Sequence, residues 1–592
     1  MLGRTDSRAR AVLLLIVFVV VAGALGTKLA YWQVIRRDEL AAVAVKQASM
    51  TYDIPAKRGA VYDRTGTVVL ATSVQRDRLA ANPKLLKPQR RLEVANRLVG
   101  LLGLEGDAAD TLINRMTSER EYVVLARGLD SKTSDRIREL QAGKEAQLAG
   151  LILEPEQERL YPQAGGGPDS SLAAHLLGFV NRDGAGQYGV EQYYQDELAG
   201  LPTRVAAQRD ASGNPVPDSS TVLDEGSPGN DLILTIDASL QVAVEQELLA
   251  AWIADRAKRV SAVVLDPYTG EVYAYASYPS YDANRYQEIA ASDPARFVDP
   301  VVSTVYEPGS VFKMMTAVAA LQLAQAGTLR LDAPLGTYLR DYPNAELAST
   351  VTAHHLLTHT GGTGDIFGPE FMAHRLELRE TSDYLQLYGT RGLQFVPGAQ
   401  HVYSNYGFIL LGALIEQLSG KSYYDHLAAR VLSPAGMMAT GFAPEDSLVP
   451  GRSVGYTRQL VPGALVSSAP TLPYRGTPAG GGYSTVGDFA RFAAAVRERR
   501  LLDSAHTTLL LAGKVAVGQG VQYAYGFFDR VVGGRRFVGH TGGAAGMSGA
   551  LEFEPNGGYV VVVLSNFDSP AATEMAGFIL QRLPTTSAGG GK

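Results

Sequence analysis

The chain has 592 residues, too many for a single hydrophobic core, so two or three domains are expected. Its 54 basic and 60 acidic residues leave a net charge of −6 without a basic block, which argues against nucleic acid as a partner. There is no cysteine, and this excludes disulfides, thiolate metal sites and cysteine catalysis.

Arg4, Arg8 and Arg10 precede a charge-free run from Ala11 to Thr27, followed by Lys28, Tyr31, Trp32 and the pair Arg36-Arg37. Residues 11–35 are long enough, as a helix, to cross a bilayer of about 30 Å. Tyr31 and Trp32 suit an interfacial belt, and the arginines place residues 1–10 on the cytoplasmic side. The alternative is a cleaved signal peptide, with Ala22-Gly23-Ala24 as a small-residue cleavage site. The apolar run is long for that, and an uncleaved anchor is the expectation. Both readings put the rest of the chain outside the cytoplasm.

A mixed region then runs to about residue 228, giving an expected domain over 36–228. It closes in a turn-rich stretch, Asp210 to Asp231, which reads as a surface hairpin and linker. A second domain is expected over 229–583. Asp231 to Ile236 alternates like a strand, and Asp237 is positioned to cap a helix from there to Ala257. Ser261 to Ser277 reads as two strands joined by a turn at Asp266–Gly270. Near the end, "RRFVGH", "SGALEFEP" and "GGYVVVVLSN" read as consecutive strands and Ala572 to Leu583 as a closing helix. The sum is an α/β (α+β) fold with an antiparallel sheet. Residues 584–592 read as a loose tail.

The chemistry centres on "YEPGSVFKMMT", Tyr306 to Thr316. Pro308-Gly309 breaks the preceding segment, and a largely apolar, hence buried, helix follows to Gly327. Ser310 lies at its N-terminus and Lys313 one turn on, on the same face. A lysine among Phe312, Met314 and Met315 has its pKa lowered by burial, and the neutral amine can take the serine proton. The bland reading is a serine N-cap beside a snorkelling lysine, and Ser-x-x-Lys alone favours it. Two further elements change that balance together, although each by itself is more often a turn than a site. Tyr403, Ser404 and Asn405 stand before a helical run, where Tyr403 could share proton transfer and Asn405 could hold a substrate amide. His540, Thr541, Gly542 and Gly543 end a strand of small residues, where a substrate backbone can approach and free N–H groups can stabilise an oxyanion.

Ser-x-x-Lys, Tyr-Ser-Asn and His-Thr-Gly stand here in the order and approximate spacing of the penicillin-recognising serine enzymes. From about Ser310 to Leu583 the chain resembles the class C β-lactamase, D,D-carboxypeptidase and esterase branch, through "VTAHHLLTHTGG", "FVPGAQHVYSNYGFILLGALIEQLSGKSYYDHL" and "GHTGGAAGMSGALEFEPNGGYVVVVLSN". The preceding half resembles class B penicillin-binding proteins, through "AKRGAVYDRTGTVVLA", a pedestal-like stretch from Glu158 to Gly200, and "LILTIDASLQVAVEQEL". "YEPGSVFK" is typical of that branch too, so the match changes branch near Ser310. The resemblance implies a serine acyl-enzyme needing no cofactor or metal. Ser310 is its implied nucleophile, and Lys313 and Tyr403 its proton-transfer groups. The N–H groups of Ser310 and Gly543 are the implied oxyanion hole, and Asn405, His540, Thr541 and Gly542 the substrate contacts. The implied substrates are the D-Ala-D-Ala ends of peptidoglycan stem peptides, with β-lactams as covalent ligands and cell-division or elongation proteins as the class of protein partner. A class C-like β-lactamase, a serine esterase and a catalytically inert scaffold are the alternatives. His540 stands where lysine is usual in β-lactamases, and an imidazole only partly charged near pH 7 is expected to hold a substrate carboxylate less firmly. His355 and His359 have zincin-like spacing, but no glutamate follows His355.

Overall fold

The computed structural model describes residues 7–142, 148, 150–208, 219–255, 259–266 and 269–584. Arg4, the tip of the expected hairpin at 209–218, Pro267-Tyr268 in the expected turn, and the tail from 585 onward lie outside the described residues.

The chain forms two compact units, each built from two segments. One comprises Met1–Gly59 and Asp196–Asn230. It opens with helix α1, Ser7–Ala30, which continues through a π-helical turn, Tyr31–Ile35. The span Arg10–Ile35 is long and apolar enough to cross a membrane, and its side chains are exposed. This unit also holds an antiparallel three-stranded sheet ordered Ser49–Ile54, Thr203–Gln208, Thr221–Asp224.

The other unit comprises Ala60–Gln195 and Asp231–Lys592. This division differs from the expected boundary at residue 228, and three contacts span that boundary. Leu232–Ile233 pairs in parallel with Val61–Tyr62, so only two residues of the expected strand 231–236 are extended, and they join the sheet of the preceding region. The Asp231 carboxylate accepts from the Ala60 N–H at 2.6 Å. Glu245, on helix α2 (Ala238–Asp255), accepts from the N–H groups of Gly166 (2.8 Å) and Ala173 (2.7 Å) and from the Gln241 amide. Burial raises the pKa of that carboxyl group, and the three donors offset part of the cost. Asp237 caps α2 as expected, accepting from the Leu240 N–H at 3.0 Å.

The large sheet is antiparallel throughout. Its strands in chain order are β1 Val260–Leu265, β2 Val272–Tyr278, β3 Val515–Gly518, β4 Val521–Tyr523, β5 Phe528–Val532, β6 Arg535–Ala544, β7 Met547–Phe553 and β8 Val560–Ser565. The spatial order is β2-β1-β8-β7-β6-β5-β4-β3. Strands β1, β2, β6, β7 and β8 lie where the sequence pattern puts them. Strands β3–β5 were not expected, although Gly518–Gly520 and Gly533-Gly534 mark their turns. Strand β8 is apolar on both faces because both are covered, so period-two alternation is lost there. Val560, Val562 and Leu564 enter the core around helix α3 (Lys313–Gln325) and helix α4 (Asn405–Ser419). Val561 and Val563 enter a second core with α2 and helix α5 (Ala571–Arg582).

Strand β5 pairs with β6 only from Arg535 to Gly539. Beyond that point His540–Ala544 pair with β7 on one side, and among the described residues no strand pairs on the other. The result is a short open sheet edge beside the start of α3.

Candidate active site

Gly309–Phe312 forms a 3₁₀ turn that runs into α3. Gly309 has φ = 60°, a conformation that favours glycine. Ser310 does not cap the helix by a side-chain bond; it is partly exposed, with its hydroxyl turned toward Lys313. The N-cap reading therefore does not hold.

Lys313 is fully buried, and its Nζ meets three oxygens: Ser310 Oγ at 3.1 Å, Asn405 Oδ1 at 2.7 Å and the Ala479 carbonyl. The carbonyl and Asn405 Oδ1 only accept, so two N–H bonds of the amine point at them. In the neutral amine the third direction is a lone pair, and it faces the Ser310 hydroxyl. Burial pushes the Lys313 pKa down to about 7, against the opposing charge of Asp365. A base in that range accepts a proton readily near neutral pH.

The orientation of Asn405 is set by Asp365, whose two carboxylate oxygens accept from Asn405 Nδ2 at 3.1 and 3.0 Å. The side-chain oxygen must then face Lys313. Asn405 was expected to hold a substrate amide; its side chain here bonds Lys313 at one end and Asp365 at the other. Ser404 caps α4 by accepting from the Gly407 N–H at 2.9 Å. Tyr403 lies against this pair, with Lys313 Nζ 4.8 Å from its ring centre and a hydrogen bond to Ser310. Burial raises the pKa of its phenol, so at neutral pH it keeps its proton and can relay one but cannot act as a standing base.

His540 departs from expectation. Its ring is buried on the α3 face of the sheet, with its pKa pushed down to about 3 by burial and by the Lys313 charge. The expected partial charge near pH 7 is therefore absent. The reason lies in a buried hydrogen-bonded chain. His540 Nδ1 faces the Thr541 carbonyl, which only accepts, so this nitrogen carries the proton. His540 Nε2 then accepts from the Tyr523 hydroxyl at 2.9 Å. Tyr523 accepts from His359 Nε2 at 3.1 Å, and His359 Nδ1 accepts from the Ser404 N–H at 3.1 Å. Each tautomer follows from its neighbour, and both imidazoles are neutral. The His359 ring lies 4.2 Å from that of Tyr403, so the chain ties β6 to the Tyr403–Asn405 segment. His355 bonds instead with the Thr352 cap, which leaves the zincin-like pair to structure.

Gly542 and Gly543 are pressed against the serine turn. A Cβ on Gly542 would lie 2.6 Å from the Ser310 nitrogen and 2.0 Å from the Pro308 carbonyl oxygen. A Cβ on Gly309 would lie 2.9 Å from the Gly543 nitrogen. Strand β6 and the serine turn are thus in close contact at Gly309-Ser310 and Gly542-Gly543. Thr541 projects to the opposite sheet face from His540, as alternation requires.

Asp365, Ala479, His359 and Tyr523 were not singled out as site residues from sequence. Ala479 acts through a backbone carbonyl, which no side-chain motif reports. Asp365 follows three glycines in "GGTGD", where an aspartate reads as a turn residue.

The family described as Beta-lactamase matches residues 247–583. The chain belongs to that family. The Penicillin-binding Protein dimerisation domain matches residues 53–234. Among curated relatives, the Peptidoglycan D,D-transpeptidase FtsI of Escherichia coli (strain K12) is 31% identical over 313 residues, covering 52% of this chain and 50% of that protein. The Stage V sporulation protein D of Bacillus subtilis (strain 168) is 29% identical over 315 residues, covering 53% and 46%. The chain thus spans about half the length of the curated relatives it matches. A solved penicillin binding protein from Bacillus halodurans is 28% identical, covers 56% of this chain and 96% of its own, and superposes with a TM-score of 0.47. The class B likeness before Ser310 and the β-lactamase-like fold after it thus both stand. The β-lactamase match begins at residue 247, upstream of Ser310, and the dimerisation-domain match ends at residue 234, so the two matched stretches do not overlap.

Proposed function

We propose that the protein is a membrane-anchored serine acyl-enzyme acting on the D-Ala-D-Ala ends of peptidoglycan stem peptides, and that β-lactams acylate it at the same serine. One observation carries this reading: Lys313 Nζ, held by Asn405 and Ala479, lies 3.1 Å from Ser310 Oγ, within reach of proton exchange with it.

In this mechanism Ser310 Oγ attacks the carbonyl carbon of the penultimate D-alanine while its proton passes to Lys313. The tetrahedral oxyanion accepts from the N–H groups of Ser310 and Gly543. As the C–N bond breaks, Lys313, with Tyr403 as relay, returns the proton to the departing D-alanine amine. The resulting ester is then attacked by an acceptor amine, which gives a cross-link, or by water, which gives the shortened peptide. The substrate lies along the open edge of His540–Ala544 as an added strand. The names of the relatives favour transpeptidation. Pedestal and catalytic functions are assigned to residues 36–228 and 229–583. The arginines at positions 4, 8 and 10, ahead of the charge-free run, favour a single span with the catalytic part on the extracytoplasmic side, where cell-division or elongation proteins are its candidate partners.

Esterase action gains support from one feature: His540 brings no cation to the open edge. Rates with a D-Ala-D-Ala peptide and with a neutral ester separate the two readings. Peptide turnover that releases D-alanine supports the main one; ester cleavage with no peptide reaction replaces it.

A further inference from the structure

The segment that delivers Ser310 is held by its backbone up to Tyr306. The Val305 N–H donates to the Gly451 carbonyl at 2.9 Å, and the Val305 carbonyl accepts from the Ser453 N–H at 2.9 Å. Tyr306 exchanges both backbone bonds with Ser484, at 2.7 and 2.9 Å. Glu307 comes next, directly before the Pro308-Gly309-Ser310 turn, and it is tied through its side chain. Glu307 Oε1 accepts from Arg452 Nε at 3.3 Å and from Arg452 Nη2 at 3.1 Å. The two side chains are only 13% and 11% exposed. Arg452 stands 145 residues after Glu307, outside the Ser-x-x-Lys, Tyr-Ser-Asn and His-Thr-Gly motifs.

The same guanidinium faces a second carboxylate. Arg452 Nη2 also donates to Glu445 Oε1, and Arg452 Nη1 donates to the Pro444 carbonyl at 3.3 Å. Glu445 belongs to the loop that carries Arg452, whereas Glu307 belongs to the serine segment. Closing the loop needs only Glu445. A second largely buried carboxylate against one cation is a poor device for stability, because each buried charge carries a desolvation cost. What Glu307 adds is a grip on the serine turn. Burial, and then the Glu445 charge, raises the pKa of the Glu307 carboxyl group against the pull of Arg452. A proton taken up there goes to Oε2, because Oε1 faces the guanidinium. Oε1 still accepts, so the tie outlasts that titration.

We propose that Glu307 and Arg452 are positioning residues for acylation: Arg452 holds the entry to the serine turn through Glu307 and so fixes Ser310 Oγ relative to Lys313 Nζ. The proposal rests on the acyl-enzyme reading above and extends its machinery beyond the three motifs. Gly542 and Gly549 abut the Pro308 carbonyl, and the Gly481 N–H donates to the Gly309 carbonyl at 3.1 Å. Those contacts set the distance of the turn from the sheet and from Gly481; the Glu307 tie sets where the turn begins. A displacement of about 1 Å in a reacting atom can cost about 100-fold in rate.

The test is stopped-flow acylation of the full chain in detergent by a chromogenic cephalosporin, which separates the limiting acylation rate from the dissociation constant of the non-covalent complex. Glu307→Leu frees the turn and leaves Arg452 paired with Glu445. It should lower the limiting rate at least tenfold and leave the dissociation constant within about twofold. Glu445→Leu is the control, since it removes the other carboxylate from the same guanidinium and leaves the grip on the turn; its limiting rate should stay within about twofold of the parent's. A role confined to stability makes the two variants behave alike. Equal effects of the two, an unimpaired rate in Glu307→Leu, or a loss carried by the dissociation constant overturns the proposal. If Glu307→Leu does not fold, Glu307→Asp and Glu445→Asp decide, because each keeps its charge and shortens one tie by a methylene. At least fivefold slower acylation is then expected in Glu307→Asp alone, and equal rates in the two overturn the proposal. A parent protein that is not acylated overturns the acyl-enzyme reading and this proposal with it; an acylated parent with matching variants overturns the proposal alone.

Discussion

The buried amine of Lys313 makes acylation sensitive to pH in a defined window. Its pKa falls from the ordinary 10.5 to about 7, chiefly by burial. At pH 7 an ordinary lysine is neutral in about 0.03% of molecules and Lys313 in about half, a gain of roughly 1,500-fold in competent base. The rate of β-lactam acylation should rise through an apparent pKa near 7 and level off above about pH 8. At pH 5 it should lie about 100-fold below the plateau, one decade per pH unit. The same shift acts on stability. Between pH 7 and 10.5 the unfolded chain holds a proton on this lysine that the folded chain lacks, so stability rises with pH across that window. The shift corresponds to about 5 kcal/mol of differential interaction, and acidification below 7 forces a charge into a buried site. Lys313→Arg keeps a positive charge but supplies no base, and should lower acylation by about 10²–10⁴-fold. The assay is stopped-flow acylation by a chromogenic cephalosporin from pH 5 to 9. A flat profile, a rise only above pH 9, or an unimpaired arginine variant refutes the reasoning.

Asp365→Asn removes the charge that opposes the burial effect, so the acid limb of the same profile should move to lower pH; a shift to higher pH contradicts the assignment. Tyr523→Phe removes the acceptor for His359 and the donor to His540 inside the core and should cost about 1–3 kcal/mol of unfolding free energy in urea titrations, where no change would deny the buried chain its weight. Gly542→Ala puts a Cβ 2.0 Å from the Pro308 oxygen, so acylation should fall by about 10²-fold or more through displacement of the oxyanion amides; a variant with full rate would place the oxyanion elsewhere. Peptide turnover should show no limb from His540 between pH 5.5 and 8, because that ring stays neutral down to about pH 3, and His540→Gln should leave the profile's shape unchanged.

Ser310 and Lys313 were legible from sequence because their relation is local: three residues along a helix put both on one face. Tyr403 and Asn405 were found through motif order, since they lie about 90 residues downstream and no periodicity links them to the serine. The orientation of Asn405 was not legible. It depends on Asp365, 40 residues earlier, which turns the amide so that its oxygen meets the lysine. His540 was misread for a related reason. Its charge depends on burial and on Tyr523, and both come from the way β4 and β6 face the helical core. The strands around the apolar runs were readable, whereas β3–β5 are short and half-exposed and carry little pattern. The division into compact units departs from the sequence reading because backbone amides of Gly166 and Ala173, which carry no sequence signature, bind Glu245.

The most direct measurement is covalent labelling of the full chain with a fluorescent penicillin, followed by proteolysis and mass mapping of the modified peptide. The account predicts a single adduct on Ser310, absent in a folded Ser310→Ala variant. An adduct on another residue, or undiminished labelling of that variant, would contradict it.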